Sequence, residues 1–372
     1  NYSWGSYQGG RFELLQKGTF EHVYEYDLNG AYANIIKNLS SLNGDWKPFT
    51  TDKDFGSYEY AFMDCDIKQN NEFLNPLGYK FINYCYPCLE TEHYFITKSE
   101  YELMQKYGFG VKINKGWGFE SASYFKPFKR EVERLLTLRN KYKSNGDRFM
   151  DKTIKTVINS FYGKQVETNL KKGKLTAGRF FNPVYGSVIT AEIRCKLLNL
   201  IYSKNLSEEL ISINTDAIHI TKNLGDLDGY KKKSNGERGR YLEVGVYSIE
   251  NKKTKRRGFN KPIDFFNEDL FDKKKNNIYV GSTRPCHMKE TLNQNKSIDK
   301  ATQLKKEYLR RGLKIPESLK KSLKRKPMRV NEFIKFPKYK TLDNNFGRYW
   351  QGELKNWDAF FNTYINSQTV IF

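Results

Sequence analysis

Apolar residues recur at two spacings along this chain, and they divide it into sheet-forming and helix-forming stretches. Leu210 to Ile213 and Ala217 to Ile220 are short β-type runs around a polar tip at Asn214-Thr215-Asp216. They predict a β-hairpin with a carboxylate at its turn. Val23 to Tyr26 is strand-like, Asp27 ends it, and Asn29-Gly30 signals a turn before a helix over Ala31 to Ile36. From about Gly44 to Lys115 short β runs alternate with turns: Tyr58 to Asp64, Lys80 to Tyr84, His93 to Thr97 and Gly110 to Ile113. Among them Lys98 to Tyr107 reads as a helix capped by Ser99.

Helical periodicity takes over after Phe125. Phe128, Val132, Leu135, Leu136 and Leu138 mark one amphipathic helix. A polar turn containing Asn145-Gly146 follows, then a second helix with Met150, Ile154, Val157, Ile158 and Phe161 on its apolar side. The two predict an antiparallel pair. Lys171-Lys-Gly-Lys174 reads as a basic hairpin tip, and Val184 to Ile201 as a long helix. The expected class is α+β.

Composition narrows the partner. Lys and Arg number 64 against 42 Asp and Glu, a formal net charge of +22. That excess points to a polyanion, with nucleic acid ahead of a merely solvated basic surface. Aromatics at 15% argue against a disordered chain. No run of about 18 apolar residues exists, so no membrane partner is expected. The start, Asn1-Tyr-Ser-Trp-Gly5, carries no signal peptide and no initiator Met, so a processed piece or fragment is expected. Five scattered cysteines suggest a reducing intracellular compartment. Cys85-Tyr-Pro-Cys88 has no second pair to complete a zinc site, and His93 alone does not supply it.

Chemistry enters with the two carboxylates. Asp27 and Asp216 both sit at strand ends, and a sheet that brings them together could hold a pair of divalent metals for phosphoryl transfer. Either alone reads equally well as an ordinary turn Asp. On the second helix Lys152, Lys155 and Asn159 share a face, with Arg139 and Lys143 at the end of the first helix. Aimed at a cleft, such a face binds a triphosphate; otherwise it is a solvated flank. Tyr7-Gln-Gly-Gly10 is a turn whose glycines let backbone N–H groups approach a phosphate.

These residues together resemble the family B DNA polymerases, most closely the protein-primed branch of phages and linear plasmids. Asp27-Leu-Asn-Gly-Ala-Tyr32 is similar to the first family motif, Asp-x-x-Ser-Leu-Tyr-Pro. Lys155-x-x-x-Asn159-Ser160-x-Tyr162-Gly163 matches every fixed position of the second. Asn214-Thr-Asp-Ala217 resembles the third, Asp-Thr-Asp-Ser. Tyr7-Gln-Gly-Gly10 resembles the turn between exonuclease and polymerase modules, and Thr190-Ala-Glu-Ile-Arg194 a template- and primer-contacting element.

The resemblance, which spans roughly residues 1 to 250, implies a right-hand fold. Residues 1–49 and 167–250 would form the palm, 50–120 an α+β insertion that contacts a priming protein, 121–166 the fingers, and 251–372 a basic thumb and C-terminal region. It implies template-directed DNA synthesis by two-metal nucleotidyl transfer. Asp27 and Asp216, with the Leu28 carbonyl, would hold two Mg²⁺, for which Mn²⁺ can substitute. Lys155, Arg139 and Lys143 would hold the phosphates of a dNTP. Tyr32 would exclude a ribose 2′-hydroxyl, Tyr162 would pack on the nascent base pair, and Asn159 would support the pocket. Tyr7, Gly9, Gly10, Thr190, Arg194 and Tyr247 would contact primer-template DNA. Partners would be DNA, dNTPs and a terminal protein, and the site of action the host cytoplasm for a phage or plasmid product.

The sequence departs from the family at several places. Asn214 replaces an Asp and Ala217 a Ser in the third motif, Ala33 replaces the Pro of the first, and Gly245-Val-Tyr247 lacks the lysine of a Lys-x-Tyr element. Asn214 brings one less negative charge to the metals, so weaker metal binding is expected. No exonuclease carboxylates precede the first motif, so no proofreading is expected of this chain, and the short tip around Lys171 argues against high processivity. The alternatives are a polymerase-fold protein that binds nucleic acid without synthesis, and a template-independent nucleotidyltransferase.

Overall fold

The computed structural model describes residues 2–256 apart from 17, 54, 69–73, 75, 78–90, 172–173 and 244; beyond 256 it describes 264–266 and two short strands. The chain forms two compact units. The first gathers residues 1–10, 28–70 and 89–202, and the second the remainder.

The first unit opens with the short helix α1 (Tyr2–Ser6). The second unit begins with β1 (Arg11–Leu14) and β2 (Gly18–Leu28). The chain then returns to the first unit in α2 (Ala31–Ile36). The predicted bounds of that helix are the observed ones. Strands β3 (Gly44–Phe49), β4 (Tyr60–Lys68) and β5 (Thr91–Thr97), helix α3 (Lys98–Lys106) and strand β6 (Gly110–Ser121) follow. The four strands form an antiparallel sheet in the order β3-β6-β4-β5. Tyr58 lies so close over Gly118 that a Cβ there would come within 2.2 Å of its ring. This is the α+β alternation predicted over Gly44 to Lys115, with longer strands.

One expectation here is corrected. The cap of α3 is Thr97, not Ser99. Thr97 ends β5 in an extended conformation, and its hydroxyl accepts from the Glu100 N–H while the Glu100 carboxylate accepts from the Thr97 N–H. That reciprocal box needs the Ser/Thr three residues before the Glu, and Thr97 holds that position.

The helical pair is α4 (Lys129–Ser144) and α5 (Arg148–Gln165). Asp147 caps α5 by accepting from the Met150 N–H at 2.9 Å. The basic tip forms as the hairpin β7 (Thr168–Lys171) and β8 (Lys174–Ala177). Helix α6 (Pro183–Ser203) is apolar on all sides and is buried along most of its length.

The second unit is an eight-stranded sheet. Its remaining strands are β9 (Leu210–Thr215), β10 (Ala217–Ile220), β11 (Tyr230–Lys232), β12 (Glu237–Glu243), β13 (Val246–Ile249) and β14 (Lys253–Arg256). The order is β1-β9-β10-β2-β12-β13-β14, with β11 also on β2. Strand β2 is longer than the predicted Val23 to Tyr26 because its two halves have different partners. Tyr24 to Asp27 pair with β10, and Gly18 to Val23 with β12.

Strands β15 (Lys340–Leu342) and β16 (Arg348–Trp350) pair with each other. Of the basic blocks expected in the thumb, Lys252 to Arg256 is described and includes β14, and β16 is a strand at the start of the aromatic stretch 347–372 expected to be helical; the other blocks and the rest of that stretch lie outside the described residues. So does the Lys80 to Tyr84 strand, and so do Cys85 and Cys88. Among the described residues no helix is long and apolar enough to cross a membrane.

Candidate active site

Sheet register sets the carboxylate rim of the second unit. Asp27 pairs with Ala217, and Ala217 pairs with Asn214. Paired residues share a face, so Asp27, Ala217 and Asn214 form one row across β2, β10 and β9. Asp216 is the next residue, in the tight connection between β9 and β10. Its N–H donates to the Asn214 carbonyl at 2.7 Å, and Thr215 between them has φ +64°. A β-branched residue in that region costs about 1–3 kcal/mol, and such outliers concentrate at functional sites. Asp27 and Asp216 are both partly exposed at this rim.

The donor set fits a hard divalent cation. The Asp27 and Asp216 carboxylates offer oxygen donors, and Mg²⁺ is commonly held by one or two carboxylates plus water and substrate phosphate. Among the described residues no group of three or more His, Cys, Asp or Glu side chains gathers to cage a metal. A cation already sits on Asp27: the Lys233 ammonium contacts its Oδ2.

Behind the rim lies a buried polar network that sequence reasoning missed. Asn214 is drawn into it, donating to Ser212 Oγ at 2.9 Å and lying 3.4 Å from His219 Nε2. His219 pairs with Glu25 across β10 and β2. Its Nε2 is 3.8 Å from Glu25 Oε1, and its Nδ1 is 2.6 Å from the Tyr241 hydroxyl. Lys253 closes the set, 2.5 Å from Glu25 Oε1. Burial alone would raise the Glu25 carboxyl, but His219 and Lys253 outweigh it and hold the pKa at about 2. Burial lowers the His219 pKa despite the neighbouring carboxylate. A neutral imidazole then accepts from the Tyr241 hydroxyl, and Lys253 is the cation that keeps Glu25 charged. Alternation was the available signal, since Glu25 and His219 lie two and three residues from the rim carboxylates on strands with apolar neighbours.

Tyr247, expected to contact DNA, is 2% exposed and stacks on Tyr241 at 5.0 Å. It is a core ring, which corrects that expectation. Gly245, where the family has lysine, is in a turn with φ +72°. A lysine there would be strained, so the departure is built into the backbone.

The remaining predicted residues belong to the first unit and form a separate group. Lys155 and Asn159 are exposed on one face of α5, whose apolar side buries Ile154 and Ile158. Lys143 is exposed at the end of α4, while Arg139 is paired with Asp151 at 2.7 Å. Tyr162 comes together with Tyr32, ring centroids 5.2 Å apart, and with Tyr7, whose hydroxyl is 2.7 Å from its own. Burial raises the pKa of both Tyr7 and Tyr162, so both stay protonated.

The Tyr7-Gln-Gly-Gly turn is held from below. Arg194 donates to the carbonyls of Gln8 and Gly9 at 2.8 and 2.7 Å, and Thr190 donates to Gln8. Arg194 also pairs with Glu100 at 2.5 Å. Thr190 and Arg194 are both 0% exposed. The expectation that they touch DNA directly is corrected: they have no face to offer a ligand, and they fix the turn instead. The space beside Gly9 is open. Gly10 is partly exposed.

Residues 1–175 match a family model described as DNA polymerase type B, organellar and viral. Over those residues, just under half of the chain, the sequence is similar to that family. No curated protein matches the sequence. Two structures of the Phi29 DNA polymerase are similar to it. One, complexed with primer-template DNA and incoming nucleotide substrates, is 18% identical with a TM-score of 0.51, over 66% of this chain and 49% of that one. The other, a post-translocation complex with primer-template DNA, is 17% identical with a TM-score of 0.50, over 71% and 52%. At that identity the likeness is one of fold. The chain spans about half the length of those relatives. The eight-stranded sheet fits the palm of the polymerase fold, and the α4–α5 pair fits its fingers.

Proposed function

We propose that this chain is the polymerase module of a protein-primed, template-directed DNA polymerase of phage or plasmid type. In this reading residues 1–49 and 167–250 act as palm, 121–166 as fingers and 251–372 as thumb. The observation that carries it is the register that puts Asp27 and the Asp216 turn at one rim of adjacent strands.

Asp27, Asp216 and the Leu28 carbonyl would hold the divalent ions. Such ions would supply Lewis acidity at the primer 3′-hydroxyl and charge neutralisation at the leaving pyrophosphate. The chain's own groups position the rest. Lys155 and Lys143 bind the β- and γ-phosphates as charge-assisted donors, joined by Arg139 once it leaves Asp151. Tyr32 limits the space at the sugar, Tyr162 packs against the new base pair, and Asn159 supports the pocket. The Tyr7-Gln-Gly-Gly turn meets a DNA phosphate with its backbone, steadied by Arg194. Residues 50–120 are the proposed contact for a priming protein, and the host cytoplasm is the proposed site of action.

The test is extension of a labelled primer on a DNA template with Mg²⁺ and then Mn²⁺. Template-matched products that fall at least about a thousandfold in Asp216→Ala are expected, since the metals supply several kcal/mol to this chemistry. Duplex binding without product in either metal would sink the reading in favour of a non-catalytic nucleic-acid binder.

A further inference from the structure

We infer that Lys233 is a built-in counter-ion of the metal site, holding the Asp27 carboxylate until a divalent cation displaces it. The inference rests on the proposed reading of Asp27 as a metal ligand.

Lys233 is not a loose surface lysine that happens to meet an acid. It follows β11 directly, and its N–H donates to the Glu25 carbonyl at 2.8 Å, two residues before Asp27 on the same strand. The next residue, Ser234, is 0% exposed and accepts from the Glu25 N–H at 2.6 Å. Two consecutive residues are thus pinned to β2, and the ammonium has a short, defined reach to the rim. It lands on Asp27 Oδ2, the carboxylate proposed to bind metal. The buried acid two residues earlier, Glu25, has its own cation in Lys253. The two lysines therefore divide these two acids between them. Lys253 serves a carboxylate at 2% exposure, and Lys233 one whose side chain is 20% exposed, where an ion from solvent can compete.

The ammonium occupies an acceptor site on Oδ2 and repels a divalent ion brought to the same carboxylate. Metal binding therefore works against the Lys233–Asp27 pair. In its absence the pair spares Asp27 an unbalanced charge beside the Asp216 turn. Removing the ammonium should tighten the site. A half-exposed ion pair of this kind corresponds to about a two- to fivefold gain in affinity.

The experiment is Mn²⁺ binding to the full chain without DNA or nucleotide, followed by the electron paramagnetic resonance signal of free Mn²⁺. The variants are Lys233→Met, which keeps the stem, Lys232→Met, Asp27→Asn and the double Lys233→Met/Asp27→Asn. The expected result is about two- to fivefold tighter binding in Lys233→Met, a smaller change in Lys232→Met, and no effect of Lys233→Met once Asp27 is Asn. Equal or weaker binding in Lys233→Met overturns the inference while leaving the metal site standing. So does an equal gain in Lys232→Met, which would mean net charge alone. Parent binding that is absent, or unchanged in Asp27→Asn, removes the metal reading and the inference with it.

Discussion

Two helices of the same unit each carry a cation at their middle, and they use it in opposite ways. Helix α6 is buried on nearly every face, and its Arg194 spends every described contact inside the protein, on Glu100 and on the carbonyls of Gln8 and Gly9. Helix α5 buries one stripe and leaves Lys155 and Asn159 in solvent. A motif assigns both cations to ligand contact. Burial separates them. A charge inside an all-apolar helix must be paired to be tolerated, and a paired, enclosed guanidinium has nothing left for a substrate. A charge on an amphipathic helix keeps its donors available.

The largest effect that would sharpen this contrast is on stability. Arg194→Met keeps most of the volume and removes the charge, leaving Glu100 buried without its partner. Unfolding in denaturant should show a loss of about 3–5 kcal/mol, the usual penalty for breaking a buried pair from one side. A loss below about 1 kcal/mol would mean that α6 is not enclosed as described.

The second effect tests whether the sheet unit also stores charge internally. Glu25 has its pKa held at about 2, below its ordinary 4.5. A lowered carboxyl stabilises the fold above its unfolded value and loses that contribution as pH falls through the folded one. His219, also lowered, is neutral in the fold, so acidification below its ordinary 6.5 already favours the unfolded chain. Stability should therefore decline below about pH 6.5 and again below about pH 4.5, the lower step being of order 3 kcal/mol. Unfolding measured from pH 7.5 to 3.5 checks it. His219→Gln should remove the upper step, and a profile flat to pH 4 would show that the network is not buried as described.

These same residues mark how far the sequence could be read. The α4–α5 pair follows from apolar stripes at helical spacing, and α6 and the β9–β10 hairpin from apolar runs that are buried along most of their length. The carboxylate rim followed from strand ends and turn residues. Register did not, because pairing is set by partners far along the chain, and so the row joining Asp27 to Asn214 and the deeper Glu25–His219 pair stayed hidden. Lys233 was lost in the run Lys231-Lys-Lys233, where one pinned lysine looks like its neighbours. Arg194 was legible in part: a lone guanidinium amid Ile189, Ile193, Leu197 and Leu198 is in the wrong surroundings for an exposed contact. Asn214 read as a loss of metal charge. It reads now as an amide that joins a hydrogen-bonded network as a donor, where a second carboxylate would sit one residue from His219's partners and near Glu25.

The smallest effect bears on the other helix, and it is the one most able to break the comparison. Lys155 is exposed, and among the described contacts no acid pairs with it. Lys155→Ala should therefore leave the unfolding midpoint within about 0.5 kcal/mol of the parent, as surface changes do. Its cost should appear only with nucleotide. One charge-assisted contact to phosphate is worth about 2 kcal/mol, so KM for dNTP in primer extension should rise about thirtyfold. Lys152→Ala, one turn away on the same face, is the control, with less than a threefold change expected. Equal effects from the two lysines would mean a diffuse positive field rather than a placed donor. A large loss of stability in Lys155→Ala would put that lysine in the same class as Arg194, and the division between a cation that builds the fold and one that meets the substrate would fail.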